Sequence, residues 1–187
     1  MKKIYKILFL VLPILLFSQK TEENSKTRKF LDVAEFTQIN KDWNIIANFK
    51  SGIGEEVSFF PVEAINLKSN QRMKSLQMDM DIKYDFMGKS RSYFKSSWID
   101  LDEIDEFITF LEQYVVPNLK DKTDKKQSTS YVFNSREMSF KFHIEKNTKR
   151  ISVYLKDYGS IDNEHYFWTE TQVNKIPELL EMLKQIK

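Results

Sequence analysis

The strongest chemical pattern in this 187-residue chain is a pair of carboxylates. Asp79 and Asp81 stand two residues apart, with Asp85 beyond them, inside an otherwise apolar-alternating stretch. On a strand that spacing places both on one face, roughly 7 Å apart. Such a pair suits acid/base hydrolysis or a hard cation. The interleaved Lys83 and the lack of a glycine-containing calcium loop favour a plain solvated strand face.

Two histidines are the other titratable candidates. His143 falls on the polar phase of its segment, and His165 follows Asp162-Asn163-Glu164. A triad would need one of them beside a serine and an acid. The sequence has no Gly-x-Ser-x-Gly elbow and no His-x-x-x-His pair. The catalytic candidates are therefore Asp79, Asp81 and His143, for a metal-assisted or two-carboxylate hydrolase. No dedicated metal site and no cofactor are expected. With no cysteine, thiol nucleophiles, disulfides and zinc–thiolate sites are excluded. Four glycines leave little room for a phosphate-cradling loop, and neither a Rossmann nor a P-loop fingerprint is present.

The aromatic residues give the main hint of binding: 15 Phe, 8 Tyr and 3 Trp. Most Phe fall on apolar phases and read as core. Tyr93, Tyr131, Tyr154, Tyr158 and Tyr166 include several that oppose their strand's apolar set. Beside Arg91, Lys95, Lys141 and Lys156, they can line a sheet face that binds a protein, peptide or sugar. The candidate binding set is Tyr93, Tyr131, Tyr154, Arg91 and Lys95. The plainer alternative is cross-strand pairing that only stabilises the sheet. Seven methionines, among them Met73, Met78, Met80 and Met138, would suit an apolar carrier cavity, or simply fill a core.

Period-two alternation dominates the elements that must position these groups. It runs through 78–86, 138–145 and 151–156, with further strands expected at 43–49, 57–60, 62–67, 91–98, 131–134 and 164–168. Residues 30–39 lean towards strand. Turns are expected at Gly52/Gly54, Ser69-Asn70-Gln71 and Asn147-Thr148. Helical spacing appears twice. Ile104, Phe107, Ile108, Leu111 and Val115 share a face that Pro117 ends. Val173, Ile176, Leu180 and Leu183 share another, with Pro177 forcing a short turn before the main helix. Asp100/Glu103 and Thr169/Gln172 read as capping boxes, with Ile99/Ile104 and Trp168/Val173 as staples. The same 69-residue offset relates both sets.

This predicts an α+β fold: a largely antiparallel sheet with two helices on one face, with the shared offset pointing to an internally duplicated strands-then-helix unit. The halves would be 43–117 and 131–187 of a single domain over 30–187, with 120–130 as a solvated loop between them. Met1–Ser18 has three lysines, then an eleven-residue apolar run and a small residue, as in a signal peptide. Residues 19–29 read as a mobile polar leader. Taking the three lysines of residues 1–18 from the 29 basic residues leaves 26 against 27 acidic, a net charge of −1. That excludes the strongly basic footprint of a nucleic-acid binder. No second apolar run of about 20 residues follows, so no transmembrane segment is expected in the mature chain. The expectation is a soluble, exported, non-catalytic domain, periplasmic or extracellular. It would bind a protein or cell-envelope component through its Tyr-bearing sheet face.

Overall fold

The computed structural model describes residues 24–120, 127–156 and 166–186, except the side chains of 84–86. It is an α+β fold of two antiparallel sheets. Sheet A contains β1 (Thr37–Lys41), β2 (Ala47–Lys50), β3 (Glu56–Asn66), β4 (Arg72–Phe86) and β5 (Lys89–Asp100). Sheet B is the meander β6 (Ser128–Asn134), β7 (Met138–Glu145), β8 (Thr148–Leu155) and β9 (Tyr166–Thr169). Helix α2 (Leu101–Phe110) follows sheet A and α3 (Ile176–Gln185) follows sheet B. The strands-then-helix layout thus occurs twice.

The alternation sets the faces. Leu76, Met78, Met80 and Ile82 of β4, and Met138, Phe140, Phe142 and Ile144 of β7, turn inward to a common core with α2 and α3. Phe107 of α2 is fully buried and stacks on Phe133 of sheet B at 4.5 Å, with Phe140 edge-on at 5.5 Å. Met78, Met80 and Met138 are fully buried within this core.

β3 is long enough to pair with two strands on the same side. Its Val62–Asn66 half pairs with β1 and its Glu56–Phe59 half with β2. The connection over 42–46 therefore lies against the middle of β3, and that is what delivers Trp43 to Phe60, with ring centroids 5.2 Å apart. The β4–β5 turn is tight: Met87 and Gly88 both take positive φ, 52° and 72°. This is the pattern of a two-residue type I′ hairpin.

The N-terminal segment differs from expectation. Lys26–Val33 forms a helix, α1, where a mobile leader and then a strand were expected. Ser25 caps it, accepting from the Arg28 amide at 3.0 Å. Local propensity for 26–33 is weak, and tertiary contacts decide the outcome. Leu31 packs on Phe60, Val62 and Trp98, the apolar part of sheet A's outer face. The helix start is fastened by two buried acids. Asp100 accepts from the amides of Lys26 and Thr27 and from Thr27 Oγ1, at 2.7–3.0 Å. Glu137 accepts from Ser25, Arg28 and the Trp98 amide.

The helix starts also differ from each other. Glu103 Oε2 accepts the Asp100 amide at 3.1 Å, the reach-back arm expected of the first capping box. The second box does not form, because no helix starts at Thr169: α3 begins only at Ile176, and Gln172 instead accepts the Lys50 amide at 2.7 Å. A 3₁₀ turn, Val173–Lys175, then precedes α3, as Pro177 requires. Under the 69-residue offset Ile99 faces the core while Trp168 is 40% exposed, so the repeated layout does not repeat its side-chain faces at that point. Residues 1–18, 19–23, 121–126 and 157–165 lie outside the described residues. So do the expectations placed there: the signal peptide, the start of the leader, Tyr158 and His165. Among the described residues no helix is long and apolar enough to cross a membrane.

Candidate functional site

The outer face of sheet A can be read row by row from the register. Glu56, Asp81 and Phe94 form one row, and Ser58, Asp79 and Ser96 the next. Phe60, Gln77 and Trp98 follow, then Val62, Ser75 and Asp100. Helix α1 covers the last two rows. The first two stay open, and with Trp43 and Phe60 they form a depression of about 300 Å³ lined by Glu56, Ser58, Asp79, Asp81 and Phe94. Trp43 and Phe94 are 63% and 65% exposed.

The expected carboxylate pair therefore does sit in a concave site. Asp79 is held by donors: Lys41 Nζ at 3.1 Å, Gln77 Nε2 at 2.6 Å and Ser96 Oγ at 2.5 Å. Lys41 Nζ also lies 4.7 Å from the Phe60 ring centre and 5.8 Å from that of Trp43. Across the depression Glu56 is bound by Asn48, Ser58 and Lys50. Burial opposes its ionisation, but these hydrogen bonds and the Lys50 charge outweigh it and lower its pKa. Asp85's side chain is not among those described.

His143 is elsewhere, on the outer face of sheet B. Its Nδ1 lies 2.8 Å from Ser130 Oγ, and its Nε2 lies 3.8 Å from Glu145. The three residue types are those of a triad, but the acid is beyond hydrogen-bond range and largely exposed. Ser130 sits mid-strand, in register with His143, so it is not raised on a strained turn. His143 does not join Asp79 and Asp81. Among the described residues no three His, Asp or Glu side chains are placed to hold a metal ion.

The binding candidates divide between faces. Tyr93 pairs with Ile82 and packs against the core, so it faces inward. Lys95 pairs with Met80 and shares that phase, as does Arg91. Tyr131 also faces inward, stacked between Tyr114 and Phe142 at 6.4 and 6.2 Å. The inward placement of Tyr93 and Tyr131 corrects the expectation of an exposed tyrosine face on β5 and β6, while Arg91, towards the β4–β5 turn, shares Tyr93's phase and is exposed. The cause is register. Three small residues, Ser92, Ser96 and Ser97, blur β5's alternation, and Phe94 takes the exposed phase.

Tyr154 is on the outer face, as the phase argument expects. It stacks with Tyr166 of β9, centroids 4.9 Å apart and planes 19° apart. The neighbouring row pairs Ser152 with Trp168. Over Trp168 lies the Arg150 guanidinium, 4.6 Å from the ring centre, and Glu170 holds it at 2.5 and 3.0 Å. Tyr166 and Trp168 are 41% and 40% exposed. The sequence argument missed Trp168 and Arg150. Their two-residue offsets from Tyr166 and Ser152 on the same strand faces were the available signal.

The densest charge cluster lies where α1, α2 and the β6–β7 turn meet. Arg136 bridges Asp100, Asp102 and Glu103 at 3.0–3.2 Å. Hydrogen bonds from Arg136 and Lys26 hold the Asp102 pKa down at about 2. Burial pushes that of Glu103 up. These groups are engaged with one another, and the cluster fastens elements together. No protein-family model, curated protein or solved structure matches this chain.

Proposed function

We propose that this chain is an exported, non-catalytic binding domain that captures a macromolecular partner on the outer face of sheet B. The observation that carries this reading is the Tyr154–Tyr166 stack beside the Arg150–Trp168 pair. Tyr, Trp and Arg are the residue types that dominate binding hot spots. Here each is partly exposed yet already held, Arg150 by Glu170 and the tyrosines by each other. Little rotamer freedom remains to be lost on binding. Lys141 and His143 extend the same face, in register with Ser152 and Arg150, which gives it a polar, partly basic surround suited to an acidic or aromatic partner segment.

The hydrolase alternative has less support. Lys41, Gln77 and Ser96 all donate to Asp79, which uses the carboxylate as an acceptor, and His143 stands on the other sheet.

The test is affinity capture from envelope and culture-medium fractions of the native host, with mild crosslinking and mass spectrometry. A stoichiometric partner retained by the wild-type protein and lost on Tyr166→Ser or Trp168→Ser is the expected result. Capture that is indifferent to both substitutions, or no partner in either fraction, refutes the reading.

A further inference from the structure

A second site lies on the other sheet and rests on different observations. The open part of sheet A's outer face combines aromatic walls, Trp43, Phe60 and Phe94, with three carboxylates, Glu56, Asp79 and Asp81. That pairing favours cations: ring faces attract them and carboxylates neutralise them. The molecule already demonstrates the mode. The Lys41 ammonium is held jointly by Asp79 and the faces of Phe60 and Trp43, at the rim of the depression. Lys41 serves Asp79, in the row next to that of Asp81 and Phe94.

This face also holds unmet acceptors. Five buried side-chain atoms lack a partner among the described residues. Four of them belong to Asn48, Ser75, Gln77 and Asp81, all on the outer face of sheet A by register. Three are acceptor oxygens: Asn48 Oδ1, Gln77 Oε1 and Asp81 Oδ1. Gln77 is only 4% exposed, and its amide nitrogen donates to Asp79, tying the buried row to the open one. Leaving such acceptors unmade is costly, so N–H donors are the missing complement. The terminal torsion of an aspartate is soft, so either oxygen of Asp81 can turn towards the depression.

We propose that this depression binds a primary ammonium group, stacked between Trp43 and Phe94 and hydrogen-bonded to Asp81 and Glu56. A quaternary ammonium would gain the ring contacts but could not satisfy Asp81. The preference for N–H-bearing cations is therefore the signature of this site. Glu56, whose hydrogen bonds favour its ionised form, supplies the second negative charge. The group is carried either by a free amine or by a lysine side chain of a peptide.

The test is a ¹H–¹⁵N NMR titration of the purified protein, following the three tryptophan indole N–H signals, with Trp43 assigned by Trp43→Phe. The probes are putrescine, its fully N-methylated bis-quaternary analogue of equal charge, and Nα-acetyl-lysine amide, whose side-chain ammonium is free. Putrescine or the lysine amide is expected to move the Trp43 signal while leaving that of the buried Trp98 in place. A response to putrescine alone marks a free amine as the source; a response to the lysine amide marks a peptide side chain. The bis-quaternary analogue is expected to bind about tenfold more weakly than putrescine. Asp81→Asn is expected to weaken the responding probe about tenfold. Three results overturn the proposal: no movement of Trp43 at about 10 mM of either amine, which would saturate a millimolar site; equal response to the bis-quaternary analogue; or a response unchanged by Asp81→Asn in a variant whose Trp98 signal matches the wild type.

Discussion

Replacing Glu137 by Ala tests how the N-terminal helix is held. Glu137 is 1% exposed and accepts five hydrogen bonds. Two come from Ser25, two from the Arg28 guanidinium, and one from the amide of Trp98 on the edge strand β5. Breaking a buried ion pair by removing one partner costs about 3–5 kcal/mol. Arg28 can swing towards water, because its side chain is 32% exposed, which places its share at the lower end. Ser25 and the Trp98 amide cannot escape so easily, and each orphaned buried donor costs about 1–3 kcal/mol. These losses overlap rather than add, so about 3–5 kcal/mol is the expected total. At a urea m-value of about 2 kcal/mol/M the unfolding midpoint drops by about 1.5–2.5 M. Hydrogen exchange locates the loss: the amides of Lys26–Val33 lose protection first, while β3 and β4 keep most of theirs. Arg28→Ala is expected to cost less than Glu137→Ala, since it leaves Ser25 and Trp98 paired. A midpoint shift below about 0.5 M for Glu137→Ala, or equal losses for the two variants, refutes the reasoning.

The acids around Arg136 give a two-limbed pH profile. Glu103 has a raised pKa, so its contribution is fully present below about 4.5 and is lost as pH rises through its folded value. Asp102 has a depressed pKa of about 2, so its contribution is present above about 3.8 and is lost as pH falls towards 2. Asp102 is 44% exposed, so its limb is on the order of 1 kcal/mol after screening. In urea titrations from pH 7 to pH 2, Glu103→Gln flattens the upper limb and Asp102→Asn the lower one. Phe107→Ala removes the ring stacked on Phe133 and Phe140 and is expected to destabilise by about 3–5 kcal/mol, read from the calorimetric Tm. Gly54→Ala is expected to destabilise modestly, because Gly54 has φ +83° and an added Cβ would meet Lys83 Nζ at 3.0 Å. Comparing it with Gly54→Ala/Lys83→Ala by urea unfolding separates backbone strain, which persists, from the side-chain contact, which is relieved.

What was legible in the sequence was whatever one strand or one helix decides alone. The alternations of β4, β7 and β8 were assigned to the right faces because each strand carries large apolar residues on a single phase. The two main helices and the turn before Pro177 followed from spacing and from proline geometry. What was not legible depends on partners far along the chain. Helix α1 exists because Asp100 and Glu137, over 70 and 100 residues away, satisfy its first donors, and no window around residues 24–33 contains that information. The same dependence governs the site. Asp79 and Asp81 could be read as a same-face pair, but the aromatic walls come from Trp43 on a loop held against β3 and from Phe94 on a strand with ambiguous phase. Tyr93 and Tyr131 illustrate the reverse error: a tyrosine's amphipathic ring fits either face of a strand, and only the neighbour's register, Ile82 in one case and Phe142 in the other, turned each of them inward. Binding surfaces on sheets are assembled by register, so a single-strand reading can propose which residue types will bind. It is the pairing of strands that decides which of them share a face.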